Sequence, residues 1–507
     1  MTEASTELYR GLVGALSDAQ VCLGEATKRA YARDLWPQMQ LDRLCGDELT
    51  PPQYVAYPND VASVARVIDV CRNQRVPIVP FGAGSGVCGG TVPAKGSVVL
   101  DLKGLRRIRA LDTTKRIVEV EAGYNGERFE RWLNRRDLSL GHFPSSILCS
   151  TVGGWVATRS AGQCSSRYGK IEDMVESLEV VTADGLVRKT PSQIDGLDWN
   201  QVFIGSEGTL GVITAATLRL HQFPAARHFR AWLMPDIQSG LGFFRDAMIG
   251  GLRPAVLRMY DPLDTRMVGA DPNESMNGLS GRLRGLLSGP SRGGTSKKGA
   301  LRFALGQARL SNAFVRAWRG PVLAITVSEG SIEESRMTAD SLAHIAREHG
   351  GEDQGEGPAR AWMNHRYDVS FKQSKLYRAG CFVDTFEVAT TWENVYQVYD
   401  TVRRAMAPYV VVMAHFSHVY PGGCSIYFTM AGSAPSVEKI RTKYRAAWHA
   451  GLDAALQAGA AIAHHHGVGL SRMSHMAAAN GSAVDVFSAL KSTLDPVGIM
   501  NPGKVMR

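Results

Sequence analysis

The stretch Val79-Pro80-Phe81-Gly82-Ala83-Gly84-Ser85-Gly86-Val87-Cys88-Gly89-Gly90-Thr91 constrains this chain more than any other. Its alternating glycines follow the apolar run Val76-Pro77-Ile78-Val79-Pro80, which reads as a buried strand. Glycine reaches positive φ and, lacking Cβ, lets the backbone come close to a ligand. Successive N–H groups of such a loop converge on a phosphate oxygen. A tight turn between two strands is the plainer alternative. The loop is not a Rossmann fingerprint. It runs into a second strand, Ser97-Val98-Val99-Leu100-Asp101-Leu102, where that fold would open a helix. Nor is it a Walker loop, since no Gly-Lys-Ser/Thr follows.

Around this loop the chain reads as a compact α/β unit. Residues 1–50 look like a polar helical leader packed on the outside. Pro51-Pro52 breaks the chain, and Pro58-Asn59-Asp60 caps a helix over 60–74 with Val61, Val64, Ile68 and Cys71 on one face. A strand over 117–123 and a helix over 126–136 follow. Two more clusters of small and hydroxyl residues come next. One is Ser150-Thr151-Val152-Gly153-Gly154-Trp155-Val156-Ala157-Thr158-Arg159-Ser160-Ala161-Gly162; the other is Gly205-Ser206-Glu207-Gly208-Thr209-Leu210-Gly211-Val212-Ile213-Thr214. Between them, Tyr168-Gly169 and Glu172-Asp173 lead to a strand over 177–182 with a hairpin turn at Asp184-Gly185. Three such clusters exceed what turn chemistry requires, and an extended phosphate-bearing ligand is the sharper explanation.

With 507 residues the chain has material for two or three domains. The net charge of +9 suits an anionic cofactor, an anionic substrate or a membrane surface. Nucleic acid is not expected, because no zinc-finger spacing, RNP-type motif or continuous basic helix is present. Part of the excess charge lies between Arg282 and Arg319 and reads as a solvated face. No apolar run reaches the roughly 20 residues that span a bilayer. Eight cysteines without a Cys-x-x-Cys argue for free thiols in a reducing compartment, and the acidic N-terminus resembles no targeting signal. Cytoplasm is the expected location.

The segments Pro80–Gly90, Ser150–Gly162, Tyr168-Gly169 and Gly205–Thr214 resemble, in order, the FAD-binding domain of the vanillyl-alcohol oxidase superfamily. That resemblance implies an α+β fold. A PCMH-type FAD-binding domain would occupy 51–225, after an N-terminal helical segment (1–50). An antiparallel-sheet cap or substrate domain would occupy 226–460, opening with strand, helix and strand over 232–261. The stretch 268–320, rich in Gly, Ser, Arg and Lys, reads as a mobile insertion, with a lid as its functional variant. Residues 461–507 would return to the FAD domain; their Asp495-Pro496-Val497-Gly498-Ile499-Met500-Asn501-Pro502-Gly503-Lys504 is similar to the C-terminal tag of D-lactate and glycolate dehydrogenases. The implied cofactor is FAD, held non-covalently, since the glycine loop lacks a tethering histidine. Pro80, Phe81, Gly82, Ala83, Gly84, Ser85 and Gly86 would wrap its pyrophosphate. Ser150, Thr151, Gly153, Gly154, Thr158, Ser160 and Gly162 would lie along the ring and ribityl chain. Tyr168 would join these contacts, with Glu207, Gly208, Gly211 and Ile213 towards the adenine end.

Three constellations outside these loops bear chemistry. In His464-His465-His466-Gly467-Val468-Gly469 the three histidines cannot share one strand face, so a metal site from this run alone is geometrically poor and none is expected. Two near the flavin would exchange protons; hydrogen-bonded structural histidines are the alternative. In Cys424-Ser425-Ile426-Tyr427-Phe428-Thr429, alternation puts Tyr427 and Ser425 on one face, beside His415-Phe416-Ser417-His418 in sequence. Tyr427 would transfer a proton or orient a carbonyl, or else be a core tyrosine. Arg258, within Val256-Leu257-Arg258-Met259-Tyr260, needs an anionic partner, and a substrate phosphate or carboxylate would serve.

Gly141-His142-Phe143-Pro144, Asp384-Thr385-Phe386-Glu387, Ile426-Tyr427-Phe428 and the histidine run, taken with Ser150–Trp155, resemble the alkyldihydroxyacetonephosphate synthases and their bacterial relatives. The resemblance implies an exchange of the acyl group of an acyl-dihydroxyacetone phosphate for a fatty alcohol, through an adduct at flavin N5 and without net redox change. It makes Tyr427 the proton-transfer residue, puts His465 and His466 at the substrate, and gives Arg258 the anionic group. One position departs: where the family carries a phosphate-binding arginine, this chain has Gln373, with Lys372 and Lys375 beside it as candidate substrate contacts together with His415 and His418. The alternative reading is an FAD-dependent oxidase or dehydrogenase of D-2-hydroxy acids or related alcohols. A flavoprotein that only binds is a third. A small-molecule or lipid substrate is expected, and peripheral membrane contact and a homodimer stay open.

Overall fold

The structure, a computed structural model, describes residues 3–191, 196–268, 302–317, 320–368, 377 and 380–506. The chain forms two compact units. The first comprises Met1–Ala161, Lys170–Gln222 and His465–Arg507, and the second Gly162–Gly169 and Phe223–His464.

In the first unit, apolar runs bracketed by turn residues become short strands. Tyr54–Ala56 and Ile78–Phe81 both pair in parallel with Val98–Asp101, and Val21–Cys22 adds an antiparallel edge. Strands running the same way in one sheet need a crossover, and the helix Val61–Asn73 supplies it from Tyr54–Ala56 to Ile78–Phe81 on the far side of Val98–Asp101. Asp60 starts that helix by accepting from the Ser63 N–H at 2.7 Å. Its Val64, Val67, Ile68 and Cys71 are fully buried, because their 3–4 residue spacing makes one face. A five-stranded antiparallel sheet follows in the order Ile108–Asp112, Ile117–Glu121, Val212–Arg219, Val175–Val181, Val187–Lys189. The last two form the hairpin expected at Asp184-Gly185, with Gly185 at φ +79°.

The leader corrects its sequence reading. Leu8, Leu12 and Ala15 form a stripe on the helix Glu3–Ala15 and are buried in the same core as Val64, Ile68 and Val98. A polar average hid an amphipathic helix. The C-terminus enters this core too: Ile499 and Met500 are buried, and the Ile78 N–H donates to the Ile499 carbonyl at 2.7 Å.

The second unit is built on a seven-stranded sheet with every pairing antiparallel. Its order is Glu352–Asp353, Ala226–Met234, Val322–Gly330, Val256–Tyr260, Val411–Tyr420, Gly423–Ser433, Cys381–Thr391. Phe386 and Phe428 pack with Tyr399 of the helix Val395–Met406 and Trp448 of the helix Val437–Gln457. Most of the stretch read as a mobile insertion (269–301 and 318–319) lies outside the described residues. Its described part contains the helix Ala308–Ala317, anchored by Asn312, whose amide donates to the Val410 carbonyl at 2.7 Å. Among the described residues, no helix is long and apolar enough to cross a membrane.

Candidate active site

The first unit presents a cradle at the end of the strand Ile78–Phe81. Among the described residues, no backbone N–H from Gly82 to Gly86 donates to a backbone carbonyl. Such orphaned donors in a folded loop call for an anionic partner. Gly84 sits at φ +60°, and a Cβ there would lie 2.5 Å from the Phe81 ring. A Cβ on Gly82 would meet the Thr151 hydroxyl at 2.4 Å, so the first and second clusters touch. A Cβ on Gly208, at φ +77°, would meet Pro80 at 2.8 Å, so the third cluster touches the first. The buried Thr91 hydroxyl has no partner among the described residues. Lys103, which the sequence reading overlooked, donates to the Gly82 carbonyl at 3.1 Å and brings a cation to the loop. Open amides, an orphaned hydroxyl and a nearby cation fit the diphosphate of FAD.

Other expected contacts are structural in part. Ser150 accepts from the Trp155 indole at 2.8 Å. Thr158 donates to the Gly154 carbonyl at 2.9 Å, and the Ser160 carbonyl accepts from the Ile171 N–H. Gly153 packs against Ala122, Gly154 lies by Thr151, and Gly211 lies against Val180. Ile213 is paired with Val180 inside a strand. Gly162 and Tyr168 belong to the second unit, where the Tyr168 hydroxyl donates to Glu329 at 2.7 Å. Ala83 and Ser85 sit in the open loop.

Glu207 is occupied differently from expectation. Its carboxylate accepts from the Val468 N–H at 2.5 Å and from the Gly469 N–H at 3.0 Å. Burial raises its pKa, and the Val468 and Gly469 amides, Arg472 and Lys504 oppose that rise. The buried Arg472 guanidinium donates to the Gly467 carbonyl at 2.6 Å and to Cys88 Sγ at 2.8 Å. His465 and His466 lie just before this turn, ring centroids 4.5 Å apart, on bends rather than a strand. Asp34, in the leader, is buried beside Gly86, with one carboxylate oxygen accepting from the Trp36 N–H and the other without a partner among the described residues. Its pKa is pushed up to about 7, chiefly by burial, against hydrogen bonds from Trp36 and Gly89. No motif announced Asp34 or Arg472; only isolated charges in polar segments marked them.

In the second unit, sheet register assembles a polar cluster. Tyr260 lies opposite His415, and His415 opposite Tyr427. Glu387, fully buried, lies opposite Tyr427 on its other side and accepts the His464 N–H at 3.1 Å. His415 stacks on Tyr427. Burial, then Arg258, then His418 hold His415 well below the usual histidine range, so it is a neutral ring at pH 7. A bulge at His418, φ +50°, turns its Nδ1 to within 2.9 Å of the Ser165 hydroxyl, which also accepts from Tyr420 at 3.1 Å. His464 packs 5.8 Å from His418 and 5.7 Å from Tyr420. Arg258 donates to the Tyr260 hydroxyl at 2.8 Å and faces the Trp362 ring. Among the described residues Arg258 forms no ion pair, and the nearby carboxyl of Asp264, buried and pushed up to about 7 chiefly by burial, feels its charge. Lys372, Gln373 and Lys375 lie outside the described residues.

Comparison with known proteins agrees with this geometry. Residues 52–191 match the family described as FAD binding domain, and residues 223–505 match FAD linked oxidases, C-terminal domain. Alkyldihydroxyacetonephosphate synthase of Trypanosoma brucei brucei is 27% identical over 94% of this chain and 75% of that protein. The mitochondrial D-lactate dehydrogenase [cytochrome] of Arabidopsis thaliana is 25% identical over 90% of this chain and 73% of its own length. A solved structure of an alkyldihydroxyacetonephosphate synthase superposes with a TM-score of 0.76 at 23% identity, covering 98% of this chain and 85% of that one.

Proposed function

The chain belongs to the FAD-linked oxidases, an FAD-dependent enzyme family, and on that premise we propose that it exchanges the acyl group of an acyl-dihydroxyacetone phosphate-like substrate for a fatty alcohol. The products are the alkyl ether and the free fatty acid, and no net electrons move. One observation carries the reading. Arg258, half-buried and in no ion pair among the described residues, shares a sheet with Tyr427 through the register Tyr260, His415, Tyr427. An anionic headgroup on the guanidinium would leave the carbon next to it within the field of a phenol. Bound FAD supplies an electrophilic ring system that accepts electron density from substrate. Gly82, Ala83, Gly84, Ser85 and Gly86 would hold its diphosphate, and Thr151 and Gly208 would shape the cradle. Tyr427 moves the proton, and the neutral His415 face keeps its ring fixed. His465 and His466 are assigned to the same proton traffic by resemblance alone. The synthase relative supports the exchange.

The D-lactate dehydrogenase relative and Gln373 favour a second reading, oxidation of a D-2-hydroxy acid. Anaerobic mixing separates the two. Exchange predicts that an acyl-dihydroxyacetone phosphate bleaches the visible flavin band, and that fatty alcohol restores it with release of alkyl product. Bleaching by D-lactate, reversed only by an added oxidant, with no response to the acyl phosphate, overturns the exchange reading.

A further inference from the structure

The turn after the histidine run is fastened to the glycine loop by a set of contacts within the first unit. The Leu470 and Ser471 N–H groups both donate to the Cys88 carbonyl, at 2.8 and 3.1 Å. Gly469, at φ +52°, would place a Cβ 2.1 Å from that carbonyl oxygen, so backbone meets backbone with no room for a side chain. Arg472 bridges Cys88 and Gly467 from beneath. Glu207 closes the set. Its carboxylate takes the Val468 and Gly469 amides, and it stands where a Cβ on Gly90 would be, 2.7 Å away. Asn501 then donates to both the Gly90 and the Glu207 carbonyls, at 3.0 and 2.7 Å. These contacts tie residues 467–472 to Cys88 and to Glu207 of the third glycine cluster, and Glu207 and Asn501 in turn tie that cluster to Gly90.

We infer that Glu207 and Arg472 are positioning residues that couple loading of the dinucleotide at Gly82–Gly86 to the placement of His465 and His466. The same loop that offers its amides to the diphosphate carries, a few residues on, the carbonyl that holds the turn behind the histidines. Ordering the loop therefore orders the turn. Glu207 makes the link stiff, because a carboxylate facing two N–H groups fixes both in direction. The inference rests on FAD binding and holds whichever reaction the site performs.

Hydrogen exchange read by mass spectrometry tests it on the full chain, stripped of flavin and then reconstituted with FAD. In the wild type, FAD should slow exchange at least tenfold in peptides covering 80–92 and also in those covering 465–472. In Glu207→Gln, which keeps one acceptor but sets an N–H2 donor where the other carboxylate oxygen met an N–H, FAD should still protect 80–92 while the protection of 465–472 is lost. A general loss of stability would raise exchange in both segments and leave their response to FAD alike. Wild-type protection that stops at residue 92 overturns the inference, as does FAD-dependent protection of 465–472 that survives in Glu207→Gln. Should Glu207→Gln fail to fold, Arg472→Lys, which keeps the charge but removes the fork, is read in the same way.

Discussion

The imidazole of His415 lies flat against the phenol of Tyr427, with ring centroids 4.7 Å apart and planes 14° from parallel. The two residues are direct partners across the antiparallel strands Val411–Tyr420 and Gly423–Ser433. Stacking at this distance locks both χ angles, so the Tyr427 hydroxyl is aimed by its neighbour rather than by its own rotamer preference.

That arrangement makes Tyr427 replaceable in shape but not in chemistry. Tyr427→Phe should keep the stack, the fold and the bound FAD, while turnover falls by about 10²–10⁴, the usual worth of a proton-transfer group. Flavin content and rate measured on the same preparation check it. Wild-type turnover would make Tyr427 a packing residue.

His415 should make the protein acid-sensitive. Its folded pKa is depressed by burial, Arg258 and His418, whereas an unfolded histidine titrates near about 6.5. Below that pH the unfolded chain binds a proton that the folded state refuses, so stability falls as the pH drops. One group contributes up to about 1.4 kcal/mol per pH step of one. His415→Phe, which keeps an aromatic face on Tyr427, should lose roughly 1 kcal/mol less than wild type between pH 6.5 and 5.5. Urea unfolding at the two pH values reads this directly, and equal losses would show that His415 titrates in the fold as it does in the unfolded chain.

Asp34 carries the opposite sign. Its folded pKa is raised to about 7 by burial, against an ordinary value near about 3.9. The folded state therefore holds a proton that the unfolded chain has released, and stability contributed at pH 4 is lost as the pH rises to 7. Asp34→Asn keeps the acceptor for the Trp36 N–H and removes the titration. Its stability relative to wild type should climb between pH 4 and 7, by at most about 4 kcal/mol for three pH steps. A constant difference across that range would mean that Asp34 ionises normally.

The cradle should tolerate little. Gly84 occupies φ +60°, which costs an L-residue about 1–2 kcal/mol, and an added Cβ would also press on the Phe81 ring. Gly84→Ala should fold, yet bind FAD roughly tenfold more weakly, since about 1.4 kcal/mol is a factor of ten. Fluorescence of FAD released on dilution measures this. Acid treatment of the wild type should leave all FAD in the supernatant; flavin remaining with the precipitate would rule out non-covalent binding.

Much of this protein follows from local pattern. The helix Val61–Asn73 was legible from the spacing of Val64, Ile68 and Cys71 and from the Asp60 cap. Equally, the parallel strand after the glycine loop, against a Rossmann helix, was legible from Val98-Val99-Leu100. The period-2 reading of Tyr427 and Ser425 held because a strand's side chains alternate whatever it pairs with. Those features depend on neighbours within a few residues, and a sequence displays them directly. The destinations of buried charges do not. Glu207 meets Val468 across 261 residues of chain, and Arg472 meets Cys88 across 384. Asp34 was read as part of an outer leader, yet lies beneath the glycine loop. A charge's partner is set by which distant backbone groups the fold leaves unsatisfied, and only tertiary packing decides that. The stack of His415 on Tyr427 belongs to the same class, because a shift of one residue in strand register would have turned one ring to the other face of the sheet.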